Sequence, residues 1–179
     1  MSQNTPHNPL TNEAAPKRSR RKEARPGELL EAALDLFVEK GFAATRVDDV
    51  AARAGVSKGT LFLYFPSKEE LFKAVVRENI AGRFAEWNTE LETFVGTTSE
   101  VLIYCYQVWW ERIGATKASG ITKLMFSEAQ NFPEIAQFYQ QEVILPGRSL
   151  IRRILQRGME RGEFRQMDLE YGTYIVLAP

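Results

Sequence analysis

One cysteine, one histidine, no net charge and no long hydrophobic run define what this 179-residue chain has little of. Cys105 alone excludes an internal disulfide framework and any thiolate metal cluster. His7 lies in a polar N-terminal stretch. A Ser-His-Asp triad, a His-based zinc site or a Cys-His dyad would therefore lack a positioned imidazole. The most apolar stretch, Val101 to Trp110, contains Gln107 and is about half the ~20 residues of a membrane span. No apolar signal-type core opens the chain. These absences predict a soluble cytoplasmic protein without a metal site, a cofactor or a catalytic histidine. Lys+Arg and Asp+Glu balance at 23 each, but a sum over the chain does not say where the charges sit.

They sit unevenly. Residues 1–16 are polar, with Pro and Asn, and read as a disordered tail. Residues 17–25 then hold six basic residues against one Glu23. Such a run is either a solvated arm or a nucleic-acid contact, with Arg20, Arg21 and Lys22 at its centre.

From Pro26 onward the spacing is helical and the predicted class is all-α. Leu29, Leu30, Ala33, Leu34, Phe37 and Val38 mark one apolar face. Pro26 suits a first turn and Gly41 a stop. Thr45 is placed to cap a second helix bearing Asp48 and Asp49 in its first turn. Ser57 is expected to cap a third helix over 58–65. Ser67 and Glu70 form a capping box for a fourth, running to about Phe94. Further helices are expected over about 100–113, 121–130, 133–145 and 147–161, with a kink or break at Pro146-Gly147. Asp168 is placed to cap a last one.

The informative region is Thr45 to Leu71. Gly55 is able to take a left-handed turn between two short helices. Ala51 permits close approach, and Val56 and Leu61 lock the second helix onto the first. Ser57, Lys58, Gly59, Thr60, Leu63 and Tyr64 are left facing outward. A face that is small and polar at its N-terminal end fits a helix-turn-helix, over about residues 45–65, whose second helix enters a major groove. An ordinary pair of packed helices gives similar spacing.

The residues themselves go further. Thr45, Val50-Ala51, Ala54-Gly55-Val56-Ser57, Gly59-Thr60-Leu61, Tyr64-Phe65 and Ser67-Lys68-Glu69-x-Leu71 closely resemble the DNA-binding signature of the TetR family of bacterial transcriptional regulators. Ala32-Ala33-x-x-Leu36-Phe37 and Lys40-Gly41-Phe42 match that family's first helix and its exit. The resemblance implies a three-helix DNA-binding domain (residues 26–75) and a helical-bundle ligand-binding and dimerisation domain (76–179). It implies a homodimeric, sequence-specific repressor on double-stranded operator DNA, released by a small-molecule effector. Carried over by position, Thr45, Tyr64 and Lys68 meet phosphates and Lys58, Gly59 and Thr60 lie at the groove, while Val50, Ala54, Leu61 and Phe65 hold the motif together. Phe62 stands where the family usually has tyrosine, which removes one phenolic hydrogen bond. Exposed Leu63 either meets a thymine methyl or packs. In this family a basic extension also reaches DNA, which favours that role for Arg20, Arg21 and Lys22.

The second half is rich in aromatics. Tyr106, Trp109, Trp110, Phe126, Phe132, Phe138 and Tyr139 are candidates to line an effector pocket, with simple core packing as the alternative. Glu111, Glu128 and Arg112 are charges able to face a ligand or solvent. Asn131-Phe132-Pro133-Glu134 resembles the family's turn between two pocket helices. Leu150, Ile151, Ile154 and Leu155, with Tyr174 and Ile175, are candidates for a dimer interface. Family members usually continue with another interface helix, so a chain closing on Val176-Leu177-Ala178-Pro179 is expected to be truncated. The rival classes are a helical small-molecule-binding module and a carboxylate-based enzyme, both without DNA binding. Effector, operator and regulated genes are not legible in the residues.

Overall fold

A computed structural model describes the backbone of residues 17–178 and the side chains of residues 26–178. Every regular element among these residues is helical. The first four are α1 (Lys17–Ala44), α2 (Val47–Arg53), α3 (Lys58–Phe62) and α4 (Lys68–Val76). A π-helical turn, Arg77–Ala81, leads into α5 (Arg83–Thr93). Then come α6 (Thr98–Trp109), a π turn at Trp110–Gly114, and α7 (Ser119–Glu128). α8 (Pro133–Tyr139) runs through a third π turn, Gln140–Ile144, into α9 (Leu145–Glu160), and α10 spans Leu169–Leu177.

The caps explain most boundaries. Ser57 accepts from the Thr60 N–H and Ser67 from the Glu70 N–H. Thr97 and Glu100 form a reciprocal capping box at α6, and Asp168 accepts from the Glu170 and Tyr171 N–H groups at α10. Each supplies an acceptor to a backbone N–H that the helix leaves unpaired.

Three expectations need correction. Helix α1 begins at Lys17 and contains Pro26, so residues 17–25 are not an irregular arm in backbone terms. All of Lys17–Arg25 except Ser19 are strong helix formers. The side chains of Arg20, Arg21 and Lys22 lie outside the described residues. Thr45 does not cap α2: the N-cap is Arg46, without a side-chain bond. The Thr45 hydroxyl donates instead to the Leu36 and Gly41 carbonyls, at 3.1 and 2.6 Å. Finally, Pro146-Gly147 does not break its helix. A π turn lies just before Pro146, and the helical backbone runs without a gap from α8 into α9.

One apolar cluster runs through both halves of the chain. Its aromatic centre is Phe37, Phe42 and Phe72, joined by Phe132 at 4.8 Å from Phe42. Helix α7 packs along α1, and α9 packs against α6 and α10. The second half thus grips the first directly.

Candidate nucleic-acid interface

Helices α2 and α3 are joined by a turn in which Gly55 takes φ of +66°, a conformation that favours glycine. The Val56 N–H closes the turn on the Ala51 carbonyl at 2.9 Å. Leu61 is fully buried in one core with Val50 and Ala51, which fixes the roll of α3. That roll turns Ser57, Lys58, Gly59 and Leu63 outward, with Leu63 84% exposed. A side-chain carbon at Gly59 would meet only the Ser57 hydroxyl, at 3.8 Å, so its backbone is open to close approach. Thr60 and Tyr64 are half-buried. The Ser57 and Thr60 hydroxyls stand 2.9 Å apart, and Tyr64 is 6.5 Å from the Phe65 ring.

The acids nearby are committed. Arg53 makes two 2.9 Å bonds to Glu39, and its donated hydrogen bond holds the Glu39 carboxyl below its ordinary value. Lys40 does the same to Asp49 at 2.9 Å. Lys58 lies 3.0 Å from Asp48, with its ammonium 6.0 Å from the Phe62 ring. The Lys58–Asp48 pair is exposed and therefore weak. Arg46, which the sequence reading passed over, has a side chain 76% exposed beside Asp48. Thr45 is the stronger N-cap by residue type, so the sequence does not mark Arg46 for the α2 N-cap.

The remaining candidates divide. Thr45 is buried, so its hydroxyl serves the fold. Lys68 is half-buried, donates to the Phe42 and Ala43 carbonyls at 2.9 and 3.3 Å, and lies 4.4 Å above the Phe42 ring. It is a strap on the α1–α2 turn.

The seven aromatic candidates do not converge on one cavity. Phe138 and Tyr139 are buried core and Phe132 packs edge-on against Phe42. Tyr106, Trp109, Trp110 and Phe126 are exposed. Leu150, Ile151, Ile154 and Leu155 are buried within the chain, between α9 and its neighbours, and Tyr174 and Ile175 alone of that set stay exposed. Helical spacing marks a buried stripe without saying what buries it. Arg112 pairs with Glu86 at 3.0 Å, and Glu128 accepts backbone hydrogen bonds from α1. A cleft of about 420 Å³ lies beside two π turns, lined by Arg77, Ala81, Gly82, Phe84, Gln141, Glu142 and Pro146. Phe84 packs edge-on against Trp87 at 5.3 Å, and the buried Trp87 indole N–H has no acceptor among the described residues.

This is the geometry of a helix-turn-helix protein with a large helical partner region. Residues 29–75 match the family described as bacterial regulatory proteins, tetR family, and residues 107–177 match the C-terminal domain of AefR-like transcriptional repressors. The chain is 31% identical over 152 residues to the HTH-type transcriptional repressor KstR2 of Mycobacterium tuberculosis, covering 83% of this chain and 74% of that one. It is 52% identical over 62 residues to the regulator RutR of Escherichia coli, a match to 35% of this chain and 29% of RutR. The fatty acid degradation regulator FadR from Bacillus halodurans has the same fold, with a TM-score of 0.69 at 23% identity over 85% of this chain and 77% of that one. The chain belongs to the TetR family of transcriptional regulators.

Proposed function

We propose that the chain is a sequence-specific DNA-binding repressor that acts as a homodimer on double-stranded operator DNA and is released by a small-molecule effector. The exposed Ser57-Lys58-Gly59 end of α3, with open space at Gly59 and the helix roll fixed by Leu61, carries the DNA reading. The repressor sense is supported by KstR2, which is a repressor. Tyr171, Tyr174 and Ile175 on α10, Ile103 and Tyr106 on α6 and Trp110 in the π turn after it are exposed apolar groups, and the Tyr106 hydroxyl donates to the Val176 carbonyl, so the two helices adjoin. Such a face suits a second copy. The cleft beside Phe84, walled by Ala81, Phe84 and Pro146, supports a site for an apolar effector. Among the described residues no helix is long and apolar enough to cross a membrane. The setting we propose is the cytoplasm.

Selection from random duplexes, followed by fluorescence anisotropy at several salt concentrations, tests this. A preferred sequence should emerge and affinity should fall linearly in log–log form. Lys58→Ala should flatten the slope by about 0.9 for each phosphate contact removed, for every duplex alike. Failure of any sequence to enrich would rule the reading out.

A further inference from the structure

The turn between α1 and α2 is held almost wholly by side chains from elsewhere. Gly41 leaves the helical path at φ +80°, ψ 172°, which frees the next N–H groups from the helix ladder. The Phe42 N–H donates to Glu128 Oε1 at 2.8 Å, and the Ala43 N–H to Oε2 at 3.2 Å. The carbonyls of the same two residues accept from Lys68. The Gly41 carbonyl accepts from Thr45, whose successor Arg46 caps α2. A side-chain carbon at Gly41 would stand 2.4 Å from Glu128 Oε1, so the carboxylate sits hard against the turn.

Of these three holds, Glu128 alone comes from the second half, 86 positions from Phe42. It ends α7, which is itself seated on α1. Lys117 pairs with Asp35 at 2.6 Å, and a side-chain carbon at Gly120 would stand 2.6 Å from Val38. A carboxylate is suited to the place because it accepts with two oxygens and donates nothing, which matches two adjacent N–H groups. Glutamine would keep one acceptor and present an amide donor to the other N–H.

We propose that Glu128 is a positioning residue for DNA recognition: it fixes the α1–α2 turn to α7 and so sets the attitude of α2 and α3 against the second half. The consequence for DNA rests on the reading of α3 as the recognition helix. The attitude itself does not.

The test compares the full chain with Glu128→Gln and Glu128→Ala. Hydrogen exchange by mass spectrometry, without DNA, is followed over peptides spanning 41–44, 47–62, α6 and α9. Glu128→Ala should speed exchange about tenfold in both 41–44 and 47–62 while α6 and α9 keep their protection, with Glu128→Gln intermediate. Anisotropy is then measured on the duplex selected by the wild type and on versions with the half-site spacing changed by one or two base pairs. The wild type should discriminate sharply, and Glu128→Ala should lose most of that discrimination. Faster exchange confined to 41–44 would reduce Glu128 to a local cap and overturn the proposal, as would uniform loosening of all helices. If Glu128→Ala loses its helical circular dichroism, Glu128→Gln decides on the same readings. If the wild type selects no sequence, the DNA reading fails, and exchange in 47–62 still decides the positioning role.

Discussion

Lys68 and Lys58 stand within one short motif and do different things. Lys58 reaches outward past Asp48, whereas Lys68 is turned onto two carbonyls and the Phe42 ring. Lys68→Ala should therefore lower stability to urea by about 1–3 kcal/mol, the range for leaving partly buried acceptors without a charged donor. It should leave the salt slope of DNA binding where it was. A slope reduced as much as in Lys58→Ala would return Lys68 to the phosphates. Single residues were the least legible level of this chain. The pattern Thr45 to Leu71 located the helix-turn-helix, and Ser57, Gly55 and Leu61 stand as their chemistry required. A hydroxyl or an ammonium has the same sequence signature whether it meets a phosphate or a carbonyl of its own chain, so the bonds of Thr45 and Lys68 to backbone carbonyls are not legible in the residues. Glu128 reads in the sequence as a charge facing a ligand or solvent, since its partners are backbone groups 85 and 86 positions away.

At the scale of elements the reading was closer, because caps and breaks act locally. Ser67, Thr97, Asp168 and Gly162, the last with φ of +69°, mark ends by short-range bonds and conformational preference. The π turns were not legible, because a widened turn preserves the apolar stripe on either side. Two of them, Arg77–Ala81 and Gln140–Ile144, pack together and are joined by Arg77 and Glu142. The Arg77 hydrogen bond, at 2.6 Å, holds the Glu142 carboxyl below its ordinary value and raises the guanidinium. A carboxyl depressed in the folded state stabilises above its unfolded value and loses that contribution as pH falls through the folded one. Both side chains are partly exposed, so the effect at neutral pH should be no more than about 1 kcal/mol. Glu142→Gln should lower the urea midpoint at neutral pH, and the gap from wild type should close as pH falls through the lowered value of the folded Glu142 carboxyl. A gap that persists in acid would place the loss in packing at the π turns instead.

At the scale of the molecule, the proposed dimer would cover an apolar face that α6 and α10 leave open. Tyr171, Tyr174 and Ile175 repeat at i, i+3 and i+4 on α10, and Ile175 is 75% exposed. Their helix is seated from behind by the buried Thr173 and by α9. Substitution on the outward face therefore need not disturb the fold. Arg148 lies 4.4 Å from the Tyr174 ring, so a charge at that position meets a cation rather than empty water. Ile175 is then the better place to put an acid. Ile175→Glu, alone and with Tyr171→Glu, should shift the sedimentation coefficient from dimer to monomer at micromolar concentration without loss of helical circular dichroism. Affinity for a duplex with two half-sites should fall steeply, because the second contact ceases to be intramolecular, while affinity for a single half-site should hold. If the variants stay dimeric, the α6–α10 face is not the interface. If they become monomeric yet bind the full duplex as tightly, the two recognition helices do not act together.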